Sequence, residues 1–140
     1  MHKTTFITKT YRPKGFSTLS PYLVLKDISA FLDFSQKILG ARILEQTVSN
    51  SGVIKHAALK IGNSVLMVGA GWQDADLKPG YMHLYIPNVD ATYQLAIQAG
   101  STTIETPAMQ PYGDYRAAFQ DRWGNVWWIA QHRQAAQPKL

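Results

Sequence analysis

The chain has no cysteine, which excludes disulfides, thiolate metal sites and a cysteine nucleophile. Charge is also sparse: Asp, Glu, Lys and Arg make up 16% of the 140 residues, against 46% hydrophobic. That balance is too apolar for intrinsic disorder, yet no apolar run reaches the ~18 residues of a membrane helix. There is no Gly-x-Ser-x-Gly elbow, no phosphate-cradling glycine loop, and no Ser-His-Asp set that can be placed on adjacent strands. Met1 to Gly15 holds Lys and Arg but no apolar stretch of signal-peptide length, so the expected location is cytoplasmic. The length fits one domain.

A net charge of +5 and a pI near 9.5 raise the question of nucleic acid. The answer lies in where the charge sits. Residues 1–19 carry Lys3, Lys9, Arg12 and Lys14 with no acid, and residues 133–140 add Arg133 and Lys139. Of fourteen basic residues, these six leave eight in the body, against nine acids. A near-neutral body with basic ends lacks the basic face that phosphate binding needs. Neither nucleic acid nor membrane is an expected partner.

Hydrophobic periodicity divides the body in two. Pro21 to Lys26 reads as a strand. Asp27 and Ser29 offer cap chemistry for a helix with Ile28, Phe31, Leu32, Ser35, Ile38 and Leu39 at helical spacing, stopped by Gly40. Strand-like runs follow over Arg42 to Val48, Ile54 to Ile61 and Ser64 to Val68, separated by Asn50-Ser51-Gly52 and Gly62-Asn63. The same βαβββ order restarts at Tyr81. Tyr22-Leu23-Val24-Leu25 aligns with His83-Leu84-Tyr85-Ile86, His56-Ala57-Ala58-Leu59 with Arg116-Ala117-Ala118-Phe119, and Gly62-Asn63 with Gly124-Asn125. The expected organisation is a basic arm (1–19), one α+β domain (20–132) and a tail (133–140). The domain divides into a first module (20–68), a linker (69–80) holding Trp72, and a second module (81–132). Neither module is large enough to bury a good core alone, so the two should share one.

Strand alternation predicts what each sheet shows on the side away from its helix. Met82, Leu84 and Ile86 form the helix-facing set in the second module; Tyr81, His83 and Tyr85 form the other. Leu23 and Leu25 oppose Ser20, Tyr22 and Val24 in the first. Trp127 and Trp128 must point to opposite faces, Trp127 to the core and Trp128 to the free side. The free faces therefore read as an aromatic cavity lining.

The two modules, the closing Asp121-Arg122-Trp123-Gly124-Asn125-Val126-Trp127-Trp128, and the opening Tyr22-Leu23-Val24-Leu25-Lys26-Asp27 before a helix ending Leu39-Gly40-Ala41 together carry a resemblance. They resemble the glyoxalase, bleomycin-resistance and extradiol-dioxygenase superfamily, the vicinal oxygen chelate proteins, over about 20–132. Tyr112-Gly113-Asp114 is most similar to the PhnB-like and bleomycin-resistance-like branch. The resemblance implies two sheets curved around a cleft and a homodimer, often with each cleft built from both chains. In metal-using members a His on the first strand and a Glu on the last strand of each module hold a divalent ion. The matching positions here are Ser20, Met67, Tyr81 and Trp128; a slide by two residues places His83 at one of them. A hydroxyl, a thioether, a phenol and an indole do not replace two imidazoles and two carboxylates.

The expectation is a metal-free, cofactor-free binding protein that sequesters a small aromatic or amphipathic ligand, in an antibiotic-resistance-like role. Its ligand-binding residues would be Tyr22, Met67, His83, Tyr85, Tyr115, Arg116 and Trp128. No catalytic residue is named, and the residues leave catalysis open. Arg116 reads equally as an ion-pair partner of Asp114 or Asp121. His56 reads as a surface or inter-strand residue and His132 as the solvated start of the tail. The alternative is a metal-dependent lyase, isomerase or dioxygenase of the same superfamily, with His83, His56 and an acid from elsewhere as unorthodox ligands. A metal-free enzyme with His83 as general base and an interaction module whose basic arm docks an acidic partner are further readings.

Overall fold

The computed structural model describes residues 10–133. The first nine residues of the expected arm, and residues 134–140 of the tail, lie outside that range. The order is β1 (Tyr22–Leu25), α1 (Ile28–Leu39), β2 (Arg42–Val48), β3 (Ile54–Ile61), β4 (Ser64–Ala70), a 3-10 turn (Asp74–Asp76), β5 (Tyr81–Tyr85), α2 (Val89–Gln98), β6 (Thr102–Met109), β7 (Asp114–Gln120) and β8 (Val126–His132). Two four-stranded sheets result, β1-β4-β3-β2 and β5-β8-β7-β6. This is the expected repeated βαβββ order in an α+β fold. β4 continues through Gly69 and Ala70, two residues into the expected linker, because both still pair with β1.

The helix ends follow local chemistry. Asp27 adopts a left-handed backbone (φ 52°) that a short polar side chain tolerates, and its carboxylate accepts from Ala30 N at 3.2 Å. Gly40 (φ 68°) closes α1, and Ala41 N donates to Ser35 O at 3.1 Å. Asn88 caps α2 by accepting from Ala91 N. The buried face of α1 is the one its spacing predicts, with Phe34 added.

Both modules contribute to one hydrophobic cluster. Phe31 and Phe34 of α1 meet Trp123 of the β7–β8 loop with ring centres 5.2 and 5.5 Å apart, and Phe34 meets Phe119 of β7 at 6.4 Å. Trp127 is 1% exposed beneath α2's side of the second sheet; truncating such a ring to alanine costs about 3–5 kcal/mol. The Asp121 carboxylate ties the loop down. It accepts from Trp123 N, Asn125 N, Asn125 Nδ2 and Trp127 Nε1, all at 2.8–2.9 Å. Burial pushes this carboxyl upward, against the pull of the four donors. On the arm, Gly15 O accepts from Lys60 Nζ of β3 at 2.7 Å. Among the described residues, no helix is long and apolar enough to cross a membrane.

Candidate functional site

Each sheet buries one face against its helix and leaves the other open. Pairing register fixes what lies on the open faces. In the first sheet one row across the strands reads Tyr22, Met67, Ala58, Glu45. The equivalent row of the second reads His83, Trp128, Ala118, Glu105. The sequence repeat is therefore also a repeat of side-chain position. The alanines of each row, Ala58 and Ala118, are fully buried beneath their larger neighbours.

The structure brings His83, Tyr85, Arg116 and Trp128 together on the second sheet. The His83 and Tyr85 rings stand edge to face, centres 4.8 Å apart. The Arg116 guanidinium lies over the Trp128 ring at 4.8 Å. Glu105 grips it as well: Nε and Nη2 donate to Oε1 at 3.2 and 3.0 Å, and Nη2 to Oε2 at 3.1 Å. Nη1 donates to Tyr112 Oη at 2.7 Å. Burial opposes charge on this guanidinium, but Glu105 outweighs it and holds Arg116 above its ordinary value. The ion-pair partner is thus Glu105 across the β6–β7 pair, not Asp114 or Asp121. Tyr22 and Met67 occupy the matching row of the first sheet, where the Tyr22 ring lies 5.6 Å from His56.

Tyr115 is the exception. Adjacent strand residues face opposite ways, so Tyr115 and Arg116 do not share a face. Tyr115 turns to the helix side, donates to Asp90 Oδ1 of α2 at 2.7 Å, and carries Arg133 over its ring. Its place in the expected ligand-binding set does not match its orientation.

Sequence reasoning missed the most connected group on the open face. Asp114 accepts from Tyr85 Oη at 2.9 Å through Oδ2, while Oδ1 lies 2.7 Å from His132 Nδ1. The Asp114 side chain is 3% exposed and the His132 side chain 64%. The hydrogen bond with His132 outweighs burial and, with Tyr85 helping, holds the Asp114 carboxyl below the usual carboxylate range. The same carboxylate pushes the Tyr85 hydroxyl up. His132 is solvated as expected, and it is also the last residue of β8, paired with Asp114 across the ladder. The signal was present in the alternation of β7 and β8, once their register is known.

The donor set on these rows does not fit the superfamily's divalent-ion site. Register sets His83, rather than Tyr81, beside Trp128, and Tyr22, rather than Ser20, beside Met67. At the ligand positions the rows thus offer one imidazole with a phenol, a thioether and an indole, a poor set for a hard or borderline cation, while Glu45 and Glu105 stand on the far edge strands and Glu105 is taken by Arg116. Among the described residues no group of three or more His, Asp or Glu stands in a metal-holding arrangement.

A family model described as Glyoxalase/Bleomycin resistance protein/Dioxygenase superfamily matches residues 18–129. The chain belongs to this superfamily. An uncharacterized protein of Mycobacterium bovis, Mb0911c, is 31% identical over 124 residues, covering 81% of this chain and 82% of its own. Among solved structures, TioX from Micromonospora sp. ML1 superposes with a TM-score of 0.69 at 20% identity, covering 83% of this chain and 98% of that one. A PhnB protein from Bacillus cereus superposes with a TM-score of 0.69 at 10% identity, covering 82% and 99%. These structural likenesses speak for the two-module fold that the superfamily shares. Function has to be argued from the open faces themselves.

Proposed function

We propose that the protein is a metal-free, homodimeric binding protein that sequesters a small aromatic or amphipathic molecule against Trp128, His83 and Tyr85, with Tyr22 and Met67 from the equivalent row. The observation that carries this reading is the state of the open faces. Tyr22 and Tyr85 are 53% and 62% exposed on their strands, and on Tyr85's sheet the Arg116 guanidinium lies over the Trp128 indole. Exposed aromatic side chains already held by their neighbours, Tyr85 by Asp114 and His83, and Tyr22 by His56, lose little entropy when a planar ligand covers them. Arg116 acts as the polar anchor, and its carboxylate partner Glu105 sets the competition a ligand anion must meet. A second copy of the chain covering these faces would enclose the ligand. An antibiotic-resistance-like role, removal of a toxic molecule by binding, follows from sequestration without catalysis.

The test has two steps. Elemental analysis by inductively coupled plasma mass spectrometry, before and after exposure to Zn, Ni, Fe, Mn and Mg, should find no stoichiometric metal. A screen of planar aromatic compounds by tryptophan fluorescence should then give saturable quenching that Trp128→Phe removes. One tightly held divalent ion per protomer, with an activity lost on chelation, would overturn the reading. Light scattering on the eluting protein should report a dimer.

A further inference from the structure

A second concavity lies on the opposite side of the molecule, where α1 meets the β7–β8 loop. It has a volume of about 210 Å³ and is floored by Phe34, Ile38 and Trp123. Asp33, Lys37 and Arg122 stand at its polar edge, and Ser101, just after α2, is in its wall. None of these residues belongs to the open sheet faces.

Charge at this edge is unbalanced in a specific way. Lys37 Nζ is paired with Asp33 Oδ2 at 3.0 Å, one turn apart on α1, so those two cancel. Among the described residues no carboxylate lies within ion-pair distance of Arg122, whose guanidinium instead lies 4.5 Å over the Trp123 ring. One positive charge is left over, held over an indole that also lines the concavity. The Ser101 hydroxyl lies beneath the wall, closed off from solvent and from the concavity.

We infer that this concavity is a second ligand site, taking a small planar monocarboxylate of one aromatic ring. The leftover charge suits a single anion, and a guanidinium fork pairs bidentately with a carboxylate. The apolar floor calls for a flat hydrocarbon body. The volume is below the range of drug-sized pockets and suits a single-ring fragment.

The test uses the full-length protein with benzoate as the probe and benzamide as its neutral isostere. The indole N–H resonances of the four tryptophans are assigned by single Trp→Phe variants and followed during titration. Benzoate should shift the Trp123 resonance saturably, and benzamide should bind at least tenfold more weakly, the factor expected for losing a charge-assisted hydrogen bond. Arg122→Gln, an exposed substitution, should weaken benzoate about tenfold. A melting temperature unchanged by Arg122→Gln separates a lost ligand contact from a packing role. Equal binding of benzoate and benzamide, unchanged affinity in Arg122→Gln, or a benzoate response at Trp128 with none at Trp123 would each overturn the assignment.

Discussion

His132 Nδ1 lies 2.7 Å from Asp114 Oδ1, joining a largely exposed imidazole to a buried carboxylate across the β7–β8 ladder. The Asp114 carboxyl is held below its ordinary value by that contact, so its share of stability is fully present above the unfolded carboxylate value of about 3.9. It is lost as pH falls through the lower folded value. Asp114→Asn removes the ionised acceptor. The variant should melt below wild type at pH 6, and the gap should narrow as pH drops below about 4. Melting curves at several pH values check this; a gap independent of pH would refute the linkage.

Asp121 behaves in the opposite sense. Burial raises its carboxyl value, so its ionisation works against the fold as pH rises through the carboxylate range, and four N–H donors offset that cost. Asp121→Asn keeps the size but turns an amide NH2 toward two of those donors, Asn125 Nδ2 and Trp127 Nε1. Leaving a buried donor unpaired costs about 1–3 kcal/mol. Urea denaturation should show a loss of this size, with Trp127 fluorescence altered even in the folded state. A variant as stable as wild type would mean the loop is held by its aromatic contacts alone.

How far the sequence disclosed the site depended on the range of the interaction. The cap at Asp27 and the stop at Gly40 are local chemistry, and each is legible within three or four residues. Trp127 inward and Trp128 outward followed from strand alternation. Alternation applied to Tyr115 and Arg116 would have removed Tyr115 from the site in the same way. The Arg116–Glu105 and Asp114–His132 pairs were not legible, because each depends on a cross-strand register. In β6–β7 that register shifts twice, between Thr103 and Glu105 and between Glu105 and Ala108, and no residue count along the chain reveals such shifts.

Gly69 explains how Tyr22 lies on the first sheet. A Cβ added there would fall 2.5 Å from Tyr22 Oη and 3.0 Å from its Cε1, so the ring rests on bare backbone. Gly69→Ala should push an exposed ring outward rather than strain the core, changing stability by less than about 1 kcal/mol. It should also separate Tyr22 from His56. If the first-module row takes part in binding, affinity for any ligand that quenches Trp128 should fall several-fold. Unchanged affinity would confine the site to the second sheet.

Glu105 sets the selectivity of the proposed binding face. It holds Arg116 in a bidentate pair whose two side chains are only 24% and 29% exposed, so breaking the pair costs about 1.5–3 kcal/mol. Glu105→Gln would leave the guanidinium on Trp128 but release its charge. A ligand carboxylate would then meet Arg116 without displacing a competing anion. Affinity for a planar aromatic carboxylate at Trp128 should rise several-fold, while affinity for its neutral amide stays nearly constant. Arg116→Ala should abolish that preference and also expose Trp128 by removing its cation cover, visible as a red-shifted emission. Fluorescence titration of the acid and amide against the two variants gives the four affinities. If Glu105→Gln leaves the ratio of acid to amide unchanged, Arg116 is a strut of the sheet rather than an anchor for ligand.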